Sequence, residues 1–167
     1  MGASVLSVNI AEPRTIRWRG KDVRTGIFKE PVDGPVRASG SSLEGDLQAD
    51  RRVHGGEVKA VYAYACEDYD WWEVELGREL PPGTFGENLT VRGIDVTGAE
   101  AGERWRVGSA LLEITEPRLP CFKLGVKMGD NRFLKRFTAA GRPGKYLRIV
   151  EEGELRAGDA VEIAPRA

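Results

Sequence analysis

The groups in this chain that could do chemistry are two thiols, one imidazole and a few polar side chains beside glycines. Cys121 sits in Glu116-Pro117-Arg118-Leu119-Pro120-Cys121-Phe122-Lys123-Leu124. Two prolines fix the backbone before it, and a helix is expected to start at or just after it. A helix dipole with Arg118 and Lys123 alongside favours the thiolate, the form that binds a soft metal or attacks an electrophile. The plainer reading is a buried cysteine in the core. Cys66 reads as structural, because Glu67 and Asp68 beside it oppose a thiolate.

Three loops add weaker signals. In His54-Gly55-Gly56 the glycines allow a ligand close to the backbone, or simply turn the chain into the strand expected at Val58. Gly86-Glu87-Asn88-Leu89 either forms a turn with an Asx-type bond or presents a carboxylate and an amide to a site. Gly141-Arg142-Pro143-Gly144-Lys145-Tyr146 either links a helix to a strand or uses Arg142 and Lys145 to grip an anionic group. No loop matches a Walker or Rossmann phosphate motif.

Composition narrows these chemistries. With one histidine in 167 residues, three-His zinc sites, two-His-one-carboxylate iron sites and Cys2His2 fingers are excluded within one subunit. Two cysteines cannot make a disulfide framework. The 25 basic and 26 acidic residues give a net charge of −1, without the basic excess of a dedicated nucleic-acid binder. No apolar run approaches the ~20 residues of a membrane span. The start, MGASVLSVNIAEPR, lacks a charged leader, so the expected location is cytoplasmic and off the membrane.

The elements that must position these groups are short. Gly (21) and Pro (9) are abundant and evenly spread, which favours many turns between short strands. Strands are expected over 4–11, 15–19, 23–28, 36–42, 58–64, 88–92, 103–107, 110–115, 146–151 and 160–163. Gly20-Lys21-Asp22 and Gly108-Ser109 read as hairpin turns. Tyr69, Trp72 and Leu76 recur at helical spacing over 66–77, with Gly77 as the stop. Short helices are expected over 121–128 and 131–138. Trp71-Trp72 suits either the interior or a homodimer interface. The sum is a mainly β chain, a barrel or folded sheet with a few short helices at its rim, in a single domain over 1–167.

Taken in order, several stretches resemble the MOSC domain family, named for the C-terminal domain of molybdenum-cofactor sulfurases, and within it bacterial members of the YiiM type. The stretches are Gly26-Ile27-Phe28-Lys29-Glu30-Pro31-Val32, Leu43–Asp50, Val53-His54-Gly55-Gly56, Phe85-Gly86-Glu87-Asn88-Leu89, Pro117–Leu124 and Gly141–Tyr146. The resemblance implies a pyruvate-kinase β-barrel-like fold and a molybdopterin-bound molybdenum cofactor with Cys121 as its metal ligand and catalytic residue. It also implies a small-molecule N-hydroxylated substrate and a separate electron-donor reductase. YiiM-type proteins carry a further C-terminal helical region tied to partner interaction, and this sequence, ending at Ala167, is expected to lack it. A soft thiolate suits such a centre, and one protein ligand suffices. For the phosphate on the pterin, the candidates are Lys29, Arg118, Lys123 and Arg142. His54, Glu87 and Asn88 are candidates for the pterin edge or for proton movement, and Gly55 and Gly56 for close backbone approach.

Three functions follow: an oxidoreductase, a non-redox cofactor-binding or sulfur-carrier module, and a structural β domain. In the third, Phe85, Phe122, Trp72 and Trp105 serve packing alone.

Overall fold

Alternation of side chains decides most of the chain. In the computed structural model, which describes residues 2–47 and 56–165, the strands are β1 (Ser4–Ile10), β2 (Arg14–Trp18), β3 (Lys21–Thr25), β4 (Glu30–Pro31), β5 (Val36–Ser39), β6 (Ser42–Leu43), β7 (Val61–Ala65), β8 (Leu89–Arg92), β9 (Arg104–Val107), β10 (Ala110–Pro117), β11 (Lys145–Glu151), β12 (Gly153–Leu155) and β13 (Val161–Ala164). Three helices accompany them: α1 (Cys66–Leu76), α2 (Phe122–Met128) and α3 (Phe133–Ala140). A one-turn 3-10 helix spans Glu57–Lys59.

The main sheet has eight strands in the order β13-β9-β10-β11-β7-β8-β1-β4. Its ladders are antiparallel except β7–β8, which are parallel and joined through α1, as a parallel pair requires a crossover. β12, β5 and β6 form a second sheet, and β2 and β3 a separate hairpin.

The expected barrel does not form. The main sheet is open, ending at β13 and β4, and among the described residues no sheet closes on itself. β13 gives its whole length to β9, and β1 gives its length to β8 and β4. Between β1 and β13 there is one isolated bridge, Ser4 to Ala160. Closure needs a ladder of successive pairs, which a lone bridge does not supply. The helices therefore pack on a face of the sheet and not around a barrel rim.

β7 shows how the two faces divide. Val61, Ala63 and Ala65 join the aliphatic core with Val8, Leu89, Trp105, Leu112 and Leu147. Tyr62 and Tyr64 point the other way, into an aromatic cluster with Tyr69, Trp72, Phe85, Phe133 and Phe137. All five β7 residues are buried, as expected of a strand covered on both faces.

Tyr69 and Trp72 are the turn-spaced pair that docks α1 on this cluster, and Phe133 and Phe137 do the same for α3. Burying side chains of this size is worth about 1.5–3 kcal/mol each. α1 stops at Gly77, whose left-handed φ of 66° lets its N–H reach back to the Glu73 carbonyl. Trp72 is in the core, while Trp71 is half-exposed under the Arg142 guanidinium, 4.6 Å from its ring.

Candidate functional site

A cleft holding about 600 Å³, part of it open to solvent, runs between the β3–β4 loop, β7, the approach to β8, the start of α2 and β11. Lys29, Asn88, Arg118, Cys121 and Lys123 all line it. The structure thus brings together five of the ten residues singled out in the sequence.

One wall is saturated. Asp46 Oδ1 accepts from the Lys29 ammonium at 2.7 Å and from the Ala11 N–H at 2.9 Å. Its Oδ2 accepts from Asn88 Nδ2 at 2.9 Å. Asn88 also donates to the Asn9 carbonyl at 3.2 Å and accepts the Tyr62 N–H at 3.0 Å. Placed just before β8, it ties β1 to β7 from the strand between them. The side chains of Asp46 and Lys29 are 1% and 9% exposed, so this is a buried ion pair whose charges depend on each other. Gly86 completes this side, at φ 83°. A Cβ there would lie 2.7 Å from Ile27 Cγ1, so only glycine fits.

The opposite wall is open. Pro120 restricts the chain before α2 to extended geometry, and Cys121 takes the cap position at φ −122°, ψ 174°. Its carbonyl accepts the Leu124 N–H at 3.1 Å, and its thiol is free and partly exposed. Lys123, one step into the helix, is buried at 8% exposure yet makes no hydrogen bond or ion pair among the described residues. Arg118 is anchored: Nη1 donates to the Phe85 carbonyl at 2.5 Å and to the Tyr62 hydroxyl at 3.2 Å. The Tyr146 ring lies 5.3 Å from that of Tyr62, and its hydroxyl has no hydrogen bond among the described residues. Burial raises the pKa of both tyrosines against the pull of Arg118, so both hold their protons.

With Lys59, the lining carries four cations and one carboxylate, Asp46. Such a surface favours an anionic ligand. Among the described residues no cluster of three or more His, Cys, Asp or Glu side chains stands ready to hold a metal ion. A metal beside Cys121 would need its other donors from a carrier.

The remaining candidates lie elsewhere. Glu87 is fully buried behind the cleft. Its carboxylate accepts from the Tyr69 and Thr90 hydroxyls (2.5 and 2.7 Å) and from the Gly83 and Phe85 N–H groups (3.1 and 3.2 Å). Burial raises its pKa, and the two hydroxyls partly offset this. Arg142 pairs with Asp68 of α1 at 2.6 Å and does not line the cleft. Gly56 caps the 3-10 helix. His54 and Gly55 lie outside the described residues.

Sequence reasoning passed over Asp46, Lys59, Tyr62, Tyr146 and Lys127. Asp46 and Tyr146 lie inside stretches already quoted for the resemblance, and Tyr62 was marked only by strand alternation. Lys127 carried no signal: its ammonium reaches the Ile27 carbonyl at 3.2 Å and the Gly83 carbonyl at 2.5 Å, and burial lowers its pKa to about 8. Cys66 accepts a 2.8 Å hydrogen bond from Arg92, and burial raises its pKa, in keeping with a structural thiol.

Comparison with known proteins matches this architecture. The model of the MOSC domain matches residues 50–162. The uncharacterized protein YflK of Bacillus subtilis is 39% identical over 98% of the chain and 74% of its own length. A Gibberella moniliformis protein named "Reductase" is 34% identical over 88% of the chain, which spans only 27% of that relative. The crystal structure of YiiM from Geobacillus stearothermophilus superposes with a TM-score of 0.79 at 31% identity, covering 98% of this chain and 75% of that one. With its cleft, its cap cysteine and these relatives, the chain belongs to the MOSC domain family and is YiiM-like.

Proposed function

We propose that the cleft binds a pterin-held molybdenum centre and that the chain reduces N-hydroxylated compounds with electrons from a separate reductase. The observation that carries this reading is the open wall: one accessible thiol, Cys121, beside Lys123, a largely buried side chain in the cleft lining whose ammonium has no partner in the described protein. A cation that lines a cleft without a protein partner favours an anionic ligand there. The donor set fits the group. A single soft thiolate suits a metal held mainly by its organic carrier, and Lys123, Arg118 and Lys59 suit the carrier's phosphate. The name of the Gibberella relative supports a reductive role.

When bound, the centre would supply two-electron redox chemistry. The conversion balances as R–NHOH + 2 e⁻ + 2 H⁺ → R–NH₂ + H₂O: the N–O bond breaks, the nitrogen is reduced and the donor is oxidised. Cys121 would ligate the metal, and Lys123 and Arg118 would hold the anionic carrier in place. Tyr146, protonated and facing the cleft, donates a hydrogen bond to the leaving hydroxyl oxygen. The saturated wall keeps Gly86 and Asn88 fixed while ligands exchange.

The test is the molybdenum and pterin content of protein from cofactor-replete cells, beside Cys121→Ser, followed by reduction of a hydroxylamine with a chemical donor. We expect near one molybdenum and one pterin per chain, and activity at least ~100-fold lower in the variant with folding stability within about 1 kcal/mol. Equal loss of activity and stability sinks the role of Cys121. Absence of both molybdenum and pterin, under conditions that load a control molybdoenzyme, sinks the reading. Cofactor bound without turnover would assign the cleft to binding or sulfur carriage.

A further inference from the structure

The β2–β3 hairpin takes no part in either larger sheet. It carries Arg14, Arg17, Arg19, Lys21 and Arg24, all exposed, against one carboxylate, Asp22. This is strong local bias in a chain whose net charge is −1. A surface serving solubility alone mixes its signs, and like charges crowded on a small ladder weaken it. Only Arg17 is neutralised within the hairpin, by Asp22 at 2.8 Å, and both side chains of that pair are about two-thirds exposed. The molecule also segregates charge of the other sign: Glu67, Asp70, Glu75 and Glu79 stand exposed on and just after α1.

The hairpin is fastened to the mouth of the cleft. Register places Arg14, Ile16, Trp18, Lys21 and Val23 on one face and Thr15, Arg17, Asp22 and Arg24 on the other. From the first face, Trp18 stacks on Phe122 with ring centroids 3.9 Å apart, one residue from Cys121. At the base, the Arg14 guanidinium lies 3.4 Å over the Phe28 ring, and Thr25, itself in the cleft wall, accepts the Ile27 N–H at 3.1 Å. Arg17 and Arg24 are left exposed on the face turned away from that contact.

We propose that this hairpin is a docking arm for an acidic face of the electron-transfer protein that supplies the cleft. The inference rests on the reductive reading above. The reduced partner gives up two electrons per N–O bond cleaved, and the protons come from solvent. Electron-transfer encounters use small, charge-steered interfaces. A basic arm fastened one residue from Cys121, with the exposed carboxylates of α1 elsewhere on the molecule, would orient an acidic partner with its redox group toward the cleft. A nucleic acid would also be drawn to the cations, but nothing in such a partner accounts for their attachment beside the cap cysteine.

The experiment uses the cofactor-loaded protein and a Lys21→Glu/Arg24→Glu variant, with an acidic flavodoxin as probe. Oxidised flavodoxin is titrated calorimetrically at low ionic strength. Reduced flavodoxin then drives hydroxylamine reduction, beside reduced methyl viologen at high salt, where charge effects are screened. We expect flavodoxin affinity and its kcat/KM to fall at least tenfold in the variant, a flatter salt dependence, and an unchanged viologen rate. Flavodoxin binding and rate unchanged in the variant, or viologen turnover in the wild type with none from flavodoxin, overturns the arm and leaves the reductive reading intact. No turnover from either donor overturns both. A variant that loses only retention of single-stranded nucleic acid, with donor kinetics intact, assigns the cations to a nucleic acid and overturns the arm.

Discussion

Asn88 and Lys123 both reach the cleft, yet Asn88 commits every hydrogen-bonding group of its side chain to the protein and Lys123 commits none. The same division runs through the whole site. Asp46, Lys29 and Asn88, with Glu87 behind them, are satisfied by β1, β7 and the loop before β8. Cys121, Lys123 and Tyr146 face the cleft with capacity to spare. A polar group that the protein has already satisfied contributes to folding, whereas one left unsatisfied contributes to a ligand. Changes on the first side should therefore appear in stability, and changes on the second in binding.

The largest effect is expected at Glu87. Glu87→Ala leaves two hydroxyls and two N–H groups without their buried acceptor, which costs about 3–5 kcal/mol of the 5–15 kcal/mol typical for a domain. Urea unfolding with an unchanged slope would read it. The pH dependence sharpens the point. Because burial raises the folded pKa of Glu87 above its ordinary 4.5, the fold holds that proton more tightly than the unfolded chain. Its contribution is fully present below about pH 4.5 and is lost as pH rises through the folded value. Glu87→Gln, which does not titrate, should lack that limb of the stability curve. Glu113 runs the opposite way: Arg148, then Arg104, lower its pKa, so its stabilisation is present above about 4.5 and lost as pH falls through the folded value.

Asn88→Ala comes next. It unpairs the Tyr62 N–H and removes one donor from Asp46. The expected loss is about 2–3 kcal/mol, measured by the same unfolding. A loss under about 0.5 kcal/mol would mean that the wall is not held together by this amide, and the contrast between the walls would fail on its strongest side.

How much of this could be read in the sequence depends on how local each feature is. The bounds of α1 were legible because Tyr69, Trp72 and Leu76 recur three and four residues apart and Gly77 ends it. The β9–β10 turn was legible because Gly108-Ser109 is a two-residue Gly-x loop between two alternating runs. The β2–β3 turn falls one residue earlier than expected, at Arg19-Gly20, both at positive φ (51° and 75°). β4 and β12, two and three residues long, are too short to show a period. Barrel closure was misjudged because it depends on whether β1 and β13 pair along their length, which no local pattern records. At the site, the Glu87-Asn88 motif looked like one unit. The chain bends at Asn88 just before β8, and Asn88 reaches the cleft while Glu87 turns toward Tyr69. Arg142 was drawn away by Asp68, 74 positions distant in sequence.

The smallest stability effects, and the most telling, belong to the open wall. Lys123→Met keeps the length of the side chain and its apolar stem and removes a charge that no described residue needs. Stability should change by no more than about 0.5 kcal/mol, since the charge has no partner to lose in the described protein. Binding of inorganic phosphate, followed by calorimetry, should weaken about tenfold, equivalent to roughly 1.4 kcal/mol. Tyr146→Phe should be smaller still in stability, because the hydroxyl it removes has no hydrogen bond in the described protein while the ring keeps its contact with Tyr62. If Lys123→Met instead costs 2 kcal/mol or more and leaves phosphate binding unchanged, then Lys123 belongs to the fold, and the two walls do not differ in kind.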